Sequence, residues 1–161
     1  MTDSIVTDSA PPRACAPGPV LFAYDGSELA ARAIQEAGEL LRAERHALVV
    51  CAWQPFDVGF VPAEDERFDA KQTPQVKAAA QRTAANGAAL AEAAGFKAQS
   101  LAIEAAPLWK GIIEVADQRD ASVIVIGSHS RRGLIGAFIG SVAAAVSAHS
   151  RRTVLITHRR D

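Results

Sequence analysis

The chain is short of cysteine and of aromatic residues, has no excess of one charge, and has no apolar run long enough to cross a membrane. Each shortage removes a class of protein. Two cysteines in 161 residues, Cys15 and Cys51, stand far apart, one in a polar amino-terminal stretch and one in an apolar segment. They form no CxxC pair and no Cys/His spacing of the metal-binding kind, which argues against a disulfide framework or a structural zinc site. Cys51 reads as a small buried hydrophobe. The formal net charge is -1, so no overall basic field directs the chain to nucleic acid. Solvated faces or helix ends account for the local pairs Arg131-Arg132, Arg151-Arg152 and Arg159-Arg160. The first residues carry Asp3 and Asp8, no early Lys or Arg and no sustained apolar run, so they do not read as a secretory signal. With no segment of spanning length, the expected compartment is the cytoplasm.

What is present is alanine and valine. Residues of hydrophobic type make up 49% of the chain but aromatics only 6%, a balance that suits a tightly packed α/β domain. At 161 residues the chain is most simply one domain, large enough to bury a single core. Residues 1–18, rich in Ser, Asp, Ala and Pro, read as a flexible tail, and 19–161 as the domain.

Short apolar runs at Val20–Tyr24, Ala47–Trp53 and Ser122–Ile126 have the character of strands buried on both faces. Lys97–Ile103 and Thr153–Thr157 complete five predicted strands. Asp25-Gly26-Ser27 predicts a turn ending in a helix cap. Helical spacing follows in Ala30, Ala33, Ile34, Ala37, Leu40 and Leu41. Further helices are predicted from Val76 to Ala94, closed by Gly95, around Leu108–Ala116, and over Ser141–Ser150. Gln54–Thr73 is a long segment with an acidic cluster at Glu64-Asp65-Glu66, and a loop of that length is expected to cover something or to move.

Strands alternating with helices specify a doubly wound α/β fold with a five-stranded parallel sheet and helices on both faces. In the order 3-2-1-4-5 the winding reverses between strands one and four, and a ligand crevice opens at their carboxyl ends. The loops there are Asp25-Gly26-Ser27 and Gly127 to Gly140.

The second of these loops, Gly127-Ser-His-Ser-Arg-Arg-Gly-Leu-Ile-Gly-Ala-Phe-Ile-Gly140-Ser141, is entered from a buried strand and leaves into a helix. A glycine at a strand end permits close approach of the backbone to a ligand. A helix start presents unpartnered N–H groups carrying partial positive charge. Together these read as a phosphate-binding loop. Ser141 would place its hydroxyl and the amide of Val142 on phosphate oxygens, or serve only as an N-cap. Arg131 and Arg132 would reach outer phosphates, or remain a solvated pair. His129 has no nucleophile or orienting carboxylate supplied to it in sequence and reads as structural.

The same residues resemble the glycine loop of ATP-binding universal stress proteins, which runs Gly, two residues, Gly, nine residues, then Gly with Ser or Thr. Gly127, the nine-residue spacer Arg131–Ile139 and Gly140-Ser141 match, whereas Ser130 stands in place of the second glycine. Val20-Leu-Phe-Ala-Tyr-Asp-Gly-Ser-Glu28 is similar to the family's opening strand and turn, which implies that Asp25 lies beside the nucleoside. Read from its own chemistry, Asp25 either accepts from ribose hydroxyls or begins an Asx turn that caps the next helix. Ala52 matches the position whose backbone contacts adenine. Thr153 stands where the family often has Pro.

The resemblance implies an adenine nucleotide-binding sensor or regulator, holding ATP with Mg²⁺ carried by the phosphates and pairing as a homodimer through the last strand. It implies at most slow ATP hydrolysis. The rival reading is a stress protein of the same fold that has lost nucleotide and works only through protein partners, which Ser130 keeps open. A faster enzyme of a related nucleotide-binding fold fails on residues, since the chain has no HxGH, no SGGxDS and no Walker lysine.

Overall fold

The computed structural model of the chain describes residues 17–41, 44–55, 73–128 and 139–158. In chain order the elements are β1 (Val20–Ala23), α1 (Glu28–Leu40), β2 (His46–Trp53), α2 (Thr73–Ala93), β3 (Lys97–Glu104), α3 (Leu108–Gln118), β4 (Val123–Gly127), α4 (Ser141–His149) and β5 (Thr153–Thr157). The sheet order is β3-β2-β1-β4-β5, with every pairing parallel. The fold is therefore the doubly wound α/β sheet that the sequence implies. The amino-terminal tail and most of the long Gln54–Thr73 segment lie outside the described residues.

The strands form where apolar residues run without interruption, because helices cover both faces and alternate side chains must all be buried. On one face Val20, Phe22, Val49, Val123 and Val125 pack against α1 and α2, through Ala33, Ile34, Ala88 and Ala91. On the other face Leu21, Leu48, Val50, Ile124 and Ile126 meet α3 and α4 through Ile112, Val115, Ala143 and Val146. Each such fully buried aliphatic side chain contributes roughly 1.5–3 kcal/mol of transfer free energy. Phe22 and Phe96 meet edge to face at 5.2 Å, and Trp109 of α3 stacks on His149 of α4 at 4.7 Å. β3 is an edge strand, half-buried or exposed along its length, which is why its sequence alternates only loosely.

Helix ends follow local chemistry. Ser27 caps α1, its Oγ accepting from the amide of Ala30 at 3.2 Å. α2 ends as Gly95 turns left-handed at φ 94, with the amides of Gly95 and Phe96 donating to the carbonyls of Glu92 and Ala91.

At the amino ends of the strands Arg45 forms a clamp. Its guanidinium donates to the carbonyl of Gly18 at 2.8 Å and to Ser122 Oγ. Ser122 Oγ donates in turn to the Gly18 carbonyl at 2.9 Å. The start of β1 is thereby tied to the starts of β2 and β4. At the start of β5, Arg152 reaches Asp117 and Asp120 at 2.9 and 2.6 Å. Those two carboxylates, Asp120 foremost, hold its guanidinium above its ordinary pKa.

Candidate functional site

At the opposite pole, the carboxyl ends of β1 and β4 lie side by side, with Ala23 opposite Ile126 and also opposite Val50 of β2. This is where the winding of the sheet reverses and a crevice must open. The turn after β1 contributes Asp25, whose Oδ1 accepts from the amide of Ser27 at 3.0 Å while Gly26 adopts φ 80. The Asx turn and the cap are both present. A carboxylate offers about four acceptor positions, so the bond from Ser27 is compatible with others. Ala52, two residues beyond the β1 register of β2, sits half-buried on the α3/α4 side near the top of the sheet.

Gly127 ends β4 in ordinary extended backbone, without positive φ. Its missing side chain has a reason within the fold. A Cβ there would stand 3.2 Å from Leu29 Cγ and 3.3 Å from the amide nitrogen of Ala30. The close approach that calls for glycine at this position is therefore to the first turn of α1.

Beyond Gly127, Ser128 is fully buried. Its amide donates to the carbonyl of Thr157 at 2.8 Å, and its carbonyl accepts from the amide of Gly140 at 2.5 Å. The second bond brings the start of α4 to the end of β4 and closes the base of the glycine loop. Sequence reasoning passed over Ser128, because both contacts are made by its backbone and its residue type carries no signal of them.

Gly140 is the N-cap of α4, with extended backbone and no side-chain cap, and Ser141 is the first helical residue. This corrects the reading of Ser141 as an N-cap. Both Gly and Ser are accepted there, and the bond from Gly140 to Ser128 decides between them by fixing where the chain enters the helix. The hydroxyl of Ser141 is thus released from capping, and the residue is exposed while Val142 is half-buried.

The helices that follow β1 and β4, α1 and α4, differ in charge at their starts. α1 is capped by Ser27 and carries Glu28 in its first turn. α4 has neither a side-chain cap nor an acid in its first turn. Its leading amides are left with partial positive charge and no compensation from the helix itself. An anion at this pole is better accommodated by α4 than by α1.

The structure thus brings Asp25, Gly127, Gly140, Ser141 and Val142 to one end of the sheet, with Ala52 at the neighbouring strand. Ser130 and Arg131, like His129 and Arg132, lie outside the described residues. Among the described residues no three His, Cys, Asp or Glu side chains gather as a metal site. No described helix is long and apolar enough to cross a membrane.

None of the curated proteins compared matches the chain. Among solved structures, the hypothetical protein MJ0577 superposes with a TM-score of 0.73 at 21% identity, over 89% of this chain and 97% of that one. A universal stress protein in complex with cAMP is 26% identical at a TM-score of 0.61, covering 89% of this chain and 98% of its own. A universal stress protein from Archaeoglobus fulgidus in complex with dAMP is 24% identical at a TM-score of 0.58, covering 87% and 97%. The model of the universal stress protein family matches residues 18–158, nearly the whole domain, and the chain belongs to that family.

Proposed function

We propose that the chain binds an adenine nucleotide, ATP foremost, across the crevice between β1 and β4, and acts as a stress-response sensor or regulator in the cytoplasm. The observation that carries this reading is the start of α4, held at the end of β4 by the Gly140–Ser128 bond with neither cap nor acid. Such a terminus fits phosphate. The complexes of the two relatives with cAMP and dAMP support an adenine nucleotide as the anion's carrier.

In this reading the amides of Ser141 and Val142 and the Ser141 hydroxyl hold phosphate oxygens, with Gly127 and Gly140 framing the loop. Ser130 and Arg131 approach the outer phosphates. The Asp25 carboxylate accepts from a ribose hydroxyl, and the backbone of Ala52 borders the base. Mg²⁺ arrives on the phosphates and neutralises part of their charge, in keeping with its preference for phosphate and water oxygens. Hydrolysis, where it occurs, is slow, as the family resemblance implies.

A second copy pairs along β5. Because the Thr157 carbonyl faces β4, the alternation of backbone groups turns those of Thr153 and Leu155 the same way and those of Val154 and Ile156 outward. An apolar edge with free outward groups invites strand pairing. An antiparallel arrangement with Leu155 on the two-fold axis sets Val154 of one protomer against Ile156 of its partner.

Equilibrium dialysis with MgATP tests the binding. Saturable uptake is expected. Its absence at millimolar nucleotide would overturn the reading and leave the partner-only alternative, in which the fold acts through protein contacts alone.

A further inference from the structure

We propose that Asp25-Gly26 is a modification site of the folded chain, where the backbone isomerises without an enzyme and aspartate becomes isoaspartate. Ring closure joins the Gly26 backbone nitrogen to Cγ of the Asp25 side chain in its acid form. The nitrogen gives up its proton, the carboxyl gives up its hydroxyl, and the two leave as water. Water then opens the cyclic imide at either carbonyl. Breaking the bond from nitrogen to the main-chain carbonyl leaves isoaspartate, and breaking the newly formed bond restores aspartate. The reaction depends on the turn alone and stands whether or not the crevice holds nucleotide.

The fold favours closure at this pair. Gly26 is exposed and has no Cβ to shield its nitrogen. Among the described residues none accepts a hydrogen bond from its amide. The Asx turn holds the Asp25 carboxyl over the following residues, because the Ser27 amide donates to Oδ1 at 3.0 Å. That bond also draws electron density from the carbon to be attacked.

The single asparagine of the chain, Asn86, is likewise followed by glycine. In an unfolded peptide Asn-Gly closes the same ring faster than Asp-Gly, since an amide stays uncharged at neutral pH whereas a carboxylate repels the attacking nitrogen. Asn86 and Gly87 lie inside α2, where the Gly87 amide is committed to the helix ladder. A Cβ built on Gly87 would stand 2.6 Å from Tyr24 Cδ1, so this stretch of helix is seated against that ring and cannot lift away without opening the packing. The fold therefore inverts the intrinsic order of the two pairs. At Asp25 isoaspartate lengthens the main chain by a methylene and shortens the branch that bears the carboxylate, which breaks the bond to Ser27.

Peptide mapping of the full chain, aged in parallel in buffer and in urea, tests the proposal, with isoaspartate recognised by its fragmentation and deamidation by its mass. The native chain is expected to accumulate isoaspartate at position 25 ahead of deamidation at 86, and the unfolded chain to show the reverse. Asp25→Asn makes the two pairs chemically identical and keeps an Asx side chain for the Ser27 bond. In the native variant, position 25 is expected to lose ammonia at least about tenfold faster than position 86, where the helix must first open locally. In urea the two rates are expected to converge. Circular dichroism establishes whether the variant folds, and the wild-type comparison stands without it. A native chain that reacts at 86 as early as at 25, or whose Asp25 stays intact over the period in which the unfolded chain isomerises there, overturns the proposal.

Discussion

Gly127 and Leu29 touch across the β4–α1 interface so closely that a methyl on the glycine would lie 3.2 Å from Leu29 Cγ. The first glycine of the loop is thus a packing residue, whatever it also does for a ligand. Gly127→Ala is expected to lose about 1–3 kcal/mol of stability without nucleotide present, as overpacked sites do. A urea melt checks this, and an unchanged midpoint would contradict it.

Ser141 separates capping from binding, because it follows the N-cap. Ser141→Ala is expected to change stability by no more than about 0.5 kcal/mol, as at other exposed positions. Nucleotide affinity is expected to fall by about 1.5–3 kcal/mol, the usual worth of a hydrogen bond to a charged group. Thermal melts and calorimetry on one preparation give both values. A stability loss with unchanged affinity would return Ser141 to a structural role.

At Ser130, which breaks the glycine pattern, Ser130→Gly is expected to tighten MgATP binding. The expectation holds where the Ser130 Cβ obstructs the approach of backbone to phosphate, an obstruction whose relief is worth roughly 1–2 kcal/mol per residue. The added freedom of glycine costs about 0.4–1 kcal/mol. Weaker binding in the glycine variant would instead make the serine hydroxyl a phosphate ligand.

Neighbouring positions on β5 should respond to proline in opposite ways. The amide of Val154 faces outward and that of Leu155 faces β4. Val154→Pro is expected to abolish self-association and keep the fold, whereas Leu155→Pro is expected to destabilise the monomer itself by removing a ladder bond. Light scattering beside a denaturation curve distinguishes them, and equal stability losses would show that the assigned facing of the strand is wrong.

Gly18 offers a control remote from the crevice. A Cβ there would fall 2.0 Å from the carbonyl oxygen of Asp120, a backbone atom that cannot rotate away. Gly18→Ala is expected to cost about 3 kcal/mol or more of stability. The MgATP affinity of the molecules that remain folded should be unchanged.

The sheet was legible in sequence wherever burial on both faces demanded unbroken apolar residues, as in Val123–Ile126. It was blurred at β3, where an exposed edge relaxes the pattern and Glu104 extends the strand. The cap at Ser27 and the close at Gly95 were legible because side chain and φ preference are properties of the residue. Ser128 was not, since backbone bonding is blind to residue type. The need for glycine at 127 was visible, but not its object, because only tertiary packing brings Leu29 there. The start of α4 at Ser141 was legible, but not which residue caps it, since Gly140 and Ser141 are both acceptable caps and the Ser128 carbonyl makes the choice.

The Arg45 clamp fixes Gly18 at the amino ends of the strands, a full sheet length from the crevice. Anything attached ahead of Pro17 joins the domain at the far pole. An affinity tag at that end for biosensor immobilisation, or a fused fluorescent reporter, is therefore joined to the domain at the pole away from the crevice. An attachment after His158 would instead be anchored directly beyond β5, beside the edge on which a second copy is expected to pair.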